Sequence, residues 1–167
     1  MRRPLRPGGR HRGLRRIFRK TFRFPVRIIT FVEFNSETVR MRDILLVGLG
    51  GAAGSILRFL LSSAWLHGHA AAQGGFPVVT LAVNAAGSLL IGAAASAGVS
   101  GGAYLFAATG FCGGFTTFSA FSLETVGLLR AGHYGTAALY ASASFALCLA
   151  AAGIGFYLGS KLSTFKI

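Results

Sequence analysis

Residues 110–121 read GFCGGFTTFSAF and lie in the middle of a long apolar run. Two adjacent glycines, Gly113 and Gly114, precede a threonine pair, Thr116 and Thr117. Glycine loosens a helix, and threonine hydroxyls compete for the backbone groups that a helix would pair. In a lipid bilayer, backbone leaves the helical state only where it is buried in protein or lines a cavity. The stretch therefore predicts a helix break that serves a site inside a membrane protein.

The composition is that of a membrane protein. Hydrophobic residues make up 53% of the 167 residues and charged residues only 13%, against about a quarter charged in soluble proteins. Four apolar segments each exceed the roughly 20 residues that a helix needs to cross a bilayer. They are 44–66, 77–99, 103–129 and 134–158. Their short connectors and lack of polar faces predict an all-α membrane protein, a four-transmembrane-helix bundle whose third helix is broken, in the cell membrane.

The first forty residues differ from the rest of the chain. They hold 12 of the 17 Lys and Arg residues and therefore most of the formal net charge of +13. They are also rich in Pro and Gly and show no apolar period, so we predict a basic, disordered extension over 1–40 and a membrane domain over 41–167. Such a segment could touch anionic lipid or nucleic acid, but a solvated extension is the simpler interpretation, and we expect no nucleic-acid partner.

Three other patterns point to helix packing rather than to chemistry. Residues 44–55, ILLVGLGGAAGS, match a dinucleotide-binding fingerprint, but no strand-to-helix change and no later acidic residue accompany it. The glycines of Gly50-x-x-x-Gly54, like the small residues of Ser88-x-x-x-Gly92, are typical of helix contacts in membranes. Cys112 and Cys148 have no metal-site or disulfide spacing, and we interpret both as small buried apolar residues.

Polar groups at membrane depth are costly and often functional. The predicted segments contain the cation Arg58, the amide Asn84 and a set of hydroxyls, whereas their only acidic residue is Glu124, near the end of its segment. Amide and hydroxyl donors suit a small anion, and the lack of a central carboxylate argues against a proton-coupled exporter. A single hydroxyl can instead bond to its own helix. Glu124 is predicted to be a structural partner of a helix end or an arginine, with a role in the pore as the alternative.

Phe118 and Phe121 are three residues apart and so share one face of a helix. The edge of an aromatic ring is electropositive, and two edges beside a donor amide could hold a weakly hydrated anion without a full charge that would trap it. Phenylalanine stripes more often face lipid or fill a core. The mixture with hydroxyls after a helix break favours the anion site.

Three ordered motifs resemble the Fluc family of fluoride channels, also called CrcB. GFCGGFTTFSAF (110–121) is similar to the family's third-span pattern, G-x-x-G-G-x-T-T-F-S-T-F. VNAAGS (83–88) is similar to its second-span N-x-x-G, and GGAAGSILRF (50–59) to its first-span G-G-x-x-G-x-x-x-R-[YF]. The resemblance extends from about Met41 to Lys161. It departs at Ala120, where the family has Thr, so one hydroxyl of the family's polar track is missing.

The resemblance implies an antiparallel homodimer, in which two protomers insert in opposite orientations, with two fluoride pores and a central structural Na⁺. It places Arg58 at a pore vestibule and gives Na⁺ the backbone carbonyls of Gly113 and Thr116. It also implies the residues that line each fluoride pore, which are Asn84, Thr117, Phe118, Ser119, Phe121, Tyr140 and Ser144.

Three functions are weighed, none of them enzymatic. The first is a channel that passively exports cytoplasmic fluoride across the membrane, relieving the toxicity of fluoride that enters as HF and ionises inside. The second is a small multidrug-type transporter, which shares four spans but needs a central acid where this chain has only Arg58. The third is a non-conducting membrane scaffold, for which a broken helix serves no obvious purpose.

The charge distribution conflicts with insertion in both orientations, which requires a weak positive-inside bias. Counted from Met41, one side has Arg42, Lys161 and Lys166, and the other has Arg58 and Arg130 plus three histidines. Residues 1–40 add 12 basic residues to the first side. We therefore expect the functional protein to start near Met41 or to lose its tail, unless a separate protomer of opposite orientation pairs with it.

Overall fold

The computed structural model describes residues 39–68 and 75–164, and every element in these ranges is helical. The helices are α1 (Met41–Gly68), α2 (Val78–Ser96), α3 (101–115), α4 (Phe118–Arg130) and α5 (Tyr134–Thr164). Within α3, Leu105–Cys112 is wound as a π-helix between two short α-helical ends. The predicted all-α class is confirmed for the described part of the chain. Most of the predicted extension over 1–40 lies outside the described residues.

Three of the helices, α1, α2 and α5, are long and apolar enough to cross a membrane. They correspond to the first, second and fourth predicted segments, although α1 and α5 run several residues beyond the predicted ends. The third predicted segment consists of two shorter helices, α3 and α4, separated by Thr116 and Thr117. A bend in this segment is therefore confirmed.

Helices α1 and α3 pack in parallel at close range because glycine removes the side chain from their contact. A Cβ atom on Gly50 would meet the carbonyl oxygen of Phe106, and one on Gly54 would meet that of Phe111. Both contacts advance along the two helices in the same direction, which makes the helices parallel. The prediction that Gly50-x-x-x-Gly54 forms a helix-contact face is confirmed.

Helices α2 and α5 form a second parallel pair by the same means. A Cβ on Gly155 would meet the carbonyl oxygen of Leu89, and one on Gly159 would meet that of Ala93, so the contacts advance in the same direction along both helices. The Ser96 hydroxyl adds a hydrogen bond of 2.7 Å to the carbonyl of Phe156. These backbone-to-backbone contacts fix the register of α2 against α5, and thereby the level at which the side chains of α2 meet those of α5.

The turn between α4 and α5 is set by Gly132, whose φ of +81° lies in the left-handed region. There, the N–H of His133 bonds to the Leu128 carbonyl at 2.9 Å, and that of Gly132 bonds to the Leu129 carbonyl at 3.1 Å. This pair of bonds closes the end of α4. The chain then reverses, and α5 packs antiparallel to α4 around buried Leu128 and Tyr140.

Candidate functional site

The break between α3 and α4 lies at Thr116 and Thr117, whose backbone is extended (φ −79°, ψ 155° and φ −149°, ψ 114°). The N–H and the hydroxyl of Thr116 both donate to the Cys112 carbonyl, at 3.0 and 2.9 Å. The Thr117 hydroxyl accepts the Ala120 N–H at 3.1 Å and so caps α4. The threonines thus replace helix bonds lost at the break, whereas Gly113–Gly114 remain helical.

Asn84 on α2 binds the backbone of Thr117 through both ends of its side-chain amide. Its Oδ1 accepts the Thr117 N–H at 2.7 Å, and its Nδ2 donates to the Thr117 carbonyl at 3.1 Å. A backbone N–H can only donate, so the first bond fixes which end of the amide is oxygen. One Nδ2 proton has no acceptor among the described residues, and it leaves Asn84 with a donor to offer.

The carbonyl groups around the break are unequally paired. The Gly114 oxygen accepts bonds from Ser55 Oγ at 3.3 Å and from Arg58 Nε at 3.2 Å. No donor within the described ranges bonds to the carbonyl oxygen of Gly113 or of Thr116. Gly113 is also exposed, and a Cβ there would have no atom within 4 Å.

Side-chain ligands for a metal are lacking in the part of the chain that the structure describes, where no group of three His, Cys, Asp or Glu residues lies together. A cation at the break would instead be bound by backbone oxygens, as at other discontinuous membrane helices. The unpaired carbonyls of Gly113 and Thr116 are oxygen donors of the kind that hard cations such as Na⁺ prefer. The residues present therefore fit the cation that the resemblance implies.

Four aromatic rings run from the protein surface into its interior. The ring centroids of Phe118 and Phe121 are 5.4 Å apart, those of Phe121 and Tyr140 5.2 Å, and those of Tyr140 and Phe76 5.5 Å. Phe118 is 79% exposed, whereas Tyr140 is fully buried at 0%. The prediction that Phe118 and Phe121 share one face is confirmed, and the row continues into α5.

Glu124 is held by two hydroxyl groups. Thr80 Oγ1 donates to its Oε1 at 2.7 Å, and the Tyr140 hydroxyl donates to its Oε2 at 2.6 Å. The prediction that Glu124 pairs with a helix end or an arginine is therefore wrong for the described residues, where two hydroxyls bind it. Thr80 is not among the predicted site residues, although it lies four residues before Asn84 and so on the same face of α2.

The predicted hydroxyl residues occupy different surroundings. Ser119 is exposed, and its Oγ lies 3.1 Å from Thr117 Oγ1. Ser144 is buried, and its Oγ has no hydrogen-bond partner among the described residues. It lies one turn after Tyr140 on α5, on the same helix face. A buried hydroxyl without a partner is uncommon and marks a place where water or a ligand can bind.

The structure thus brings most of the predicted site residues to the break and the aromatic row that leads from it. Asn84, Thr117 and Ser119 meet at the break. Phe118, Phe121 and Tyr140 form the row, and Ser144 joins it only through its place beside Tyr140. Arg58 bonds to the last turn of α3, just before the break.

Comparisons with known proteins place the chain in a family. The family described as CrcB-like protein, Camphor Resistance (CrcB), matches residues 45–156. A protein of Thermus thermophilus named fluoride-specific ion channel FluC is 51% identical over 122 residues, which cover 71% of this chain and 94% of that protein.

Other relatives carry the same name. Fluoride-specific ion channel FluC 2 of Rhodococcus jostii is 43% identical over 117 residues, covering 70% of this chain and 98% of the relative. The FluC protein of Ruegeria sp. is 48% identical over 115 residues, covering 67% and 90%. With its apolar helices and these matches, the chain is a multi-pass membrane protein that belongs to the CrcB family.

Proposed function

We propose that this chain is a fluoride-selective ion channel through which cytoplasmic fluoride leaves the cell passively. The Asn84 amide carries the proposal. Its oxygen accepts the Thr117 N–H and one Nδ2 proton bonds to the Thr117 carbonyl, so the second Nδ2 proton is the group that it can offer to a permeating ion. An uncharged donor favours an anion and still releases it, which conduction requires. The names of the relatives support the same function.

The fluoride path follows from the groups beside that donor. Phe118 and Phe121 can turn their electropositive ring edges toward an anion, and the Thr117 and Ser119 hydroxyls lie at the start of α4. Deeper in the protein, Tyr140 continues the polar lining, together with Ser144, whose hydroxyl has no partner in the described part of the chain. Fluoride is smaller and harder than chloride, so a narrow cleft with donors can replace its water while excluding the larger ion.

A small multidrug-type transporter is the less favoured function. Such a transporter needs a central carboxylate open to a cationic substrate. The only acidic residue beyond the first turn of α1 is Glu124, and both of its oxygens accept hydroxyl hydrogen bonds. Through these bonds, Glu124 on α4 binds Thr80 of α2 and Tyr140 of α5.

The channel is proposed to be an antiparallel homodimer in which α3 and α4 together make the fourth crossing. Broken backbone at membrane depth must be covered by protein, yet Gly113 is exposed and Phe118 is 79% exposed in a single protomer. A second copy related by a two-fold axis can cover both. Na⁺ at the centre would be held by the Gly113 and Thr116 carbonyls, where its charge would stabilise the two facing breaks.

Residues 41–167 are proposed to be the functional unit. The family match at 45–156 and the nearly complete coverage of the relatives by this part of the chain support this boundary. The 12 basic residues of 1–40 would otherwise favour one orientation. We expect N-terminal sequencing of membrane-purified dimers to begin near Met41. Active dimers of a single chain that retain Arg2–Arg40 would contradict this boundary.

Fluoride efflux from proteoliposomes tests the proposed function. Purified protein should release fluoride down its gradient without a proton gradient, and chloride should not follow. Asn84→Asp keeps the acceptor for Thr117 but loses the donor and adds a negative charge, so efflux should fall about a hundredfold or more. The control is Ser142→Ala, because the exposed Ser142 hydroxyl bonds to the Ala138 and Leu139 carbonyls of its own helix, α5. Equal chloride and fluoride flux, or full activity of Asn84→Asp, would refute the proposal.

A further inference from the structure

The Gly114 carbonyl oxygen is held from α1 by two side chains. Ser55 Oγ donates to it at 3.3 Å and Arg58 Nε donates at 3.2 Å. The two helices come this close because Gly114 has no side chain, since a Cβ there would meet the carbonyl oxygen of Gly51. Both donors are half-buried. Arg58 is therefore bonded inward to the protein backbone.

The Gly114 carbonyl is one of the carbonyls that lose their helical N–H partner at the break. In an uninterrupted helix, the carbonyls of Gly113 and Gly114 would accept the N–H groups four residues later. The Thr117 N–H bonds instead to Asn84, and Phe118 starts a new helix. Of the carbonyls of Gly113, Gly114 and Thr116, only that of Gly114 has donors among the described residues.

We propose that Arg58 and Ser55 are positioning residues of the cation site. They occupy the Gly114 carbonyl and thereby restrict a bound Na⁺ to the carbonyls of Gly113 and Thr116. The guanidinium group has only donors and cannot accept a hydrogen bond, so its Nε satisfies this oxygen and leaves it less available to a cation. This inference rests on the proposed function, because it assumes the structural Na⁺.

The inference differs from a vestibule role, in which Arg58 attracts anions by its charge alone. A charge acting at a distance is screened by salt and is retained in lysine. A hydrogen bond at a fixed position is retained only by a side chain that has nitrogen there. Two substitutions separate these properties. Arg58→Lys keeps the charge but places a methylene where Arg has Nε, whereas Arg58→Gln loses the charge but keeps a nitrogen donor at that position.

The experiment measures Na⁺ binding by the full chain purified as its assembled form in detergent. Thermal unfolding is followed as NaCl replaces choline chloride at constant ionic strength, and the rise of Tm with Na⁺ gives an apparent affinity. We expect Arg58→Lys to weaken this affinity about tenfold, because the lost donor frees the Gly114 oxygen. Arg58→Gln should stay within about threefold of the unmodified protein. Ser55→Ala removes the other donor and should also weaken Na⁺ binding. It replaces Arg58→Lys as the test if Arg58→Lys does not fold.

Several results would overturn the inference. One is an unchanged Na⁺ affinity in both Arg58→Lys and Ser55→Ala. Another is a larger loss of Na⁺ affinity in Arg58→Gln than in Arg58→Lys. The third is a Tm of the unmodified protein that does not depend on Na⁺. Fluoride efflux measured on the same preparations separates this inference from the proposed function. Protein that shows the expected Na⁺ pattern but conducts no fluoride would support the positioning role and refute the channel.

Discussion

Replacing Tyr140 with Phe removes one hydroxyl oxygen and leaves the ring to pack as before. Tyr140 is fully buried, and its hydroxyl donates to Glu124 Oε2 at 2.6 Å. A hydrogen bond to a charged group contributes about 1.5–3 kcal/mol. Thr80 still bonds to the other carboxylate oxygen, so we expect the free energy of unfolding to fall by about 2 kcal/mol. For a chain of this size, that loss lowers Tm by about 4–8 °C.

Circular dichroism of the purified protein in detergent measures this change, and Tyr134→Phe is the matched control. Tyr134 is 68% exposed at the start of α5, so its variant should melt within about 0.5 kcal/mol of the unmodified protein. A double-mutant cycle of Tyr140→Phe with Glu124→Gln isolates the pairwise energy, which should reach about 1 kcal/mol or more. A coupling energy near zero, with Tyr140→Phe melting like Tyr134→Phe, would refute the reasoning.

Two further predictions concern glycines. Gly54→Ala forces a Cβ against the Phe111 carbonyl of α3 and should lower the yield of folded protein, as measured by size-exclusion chromatography, whereas Gly48→Ala should not, because a Cβ there meets nothing within 4 Å. Equal yields would contradict the close helix contact. Gly132→Ala strains a residue at φ +81° and should reduce the stability to thermal unfolding by about 1 kcal/mol. Gly135→Ala, in open space on α5, is its control, and equal melting of the two variants would argue against the left-handed turn.

Local features of the sequence were enough to predict the helices and the bend. The length of an apolar run and the positions of Gly and Thr act within a few residues, so they indicate where a helix ends. The spacing of Phe118 and Phe121 likewise set their common face, because neighbours three apart on a helix point the same way. The motif that contains Asn84 pointed to the family, which the comparisons then established.

The sequence alone could not assign the partners of the polar side chains, because they lie far apart along the chain. Thr80 reaches Glu124 across 44 residues and Arg58 reaches Gly114 across 56. Such pairs depend on the rotation and register of one helix against another. Close backbone contacts at glycines fix that register to within one helical turn. The spacing of residues within a single helix does not encode the register between two helices. The sequence by itself thus determined where the helix breaks, and only the tertiary structure decided which groups bind the backbone exposed there.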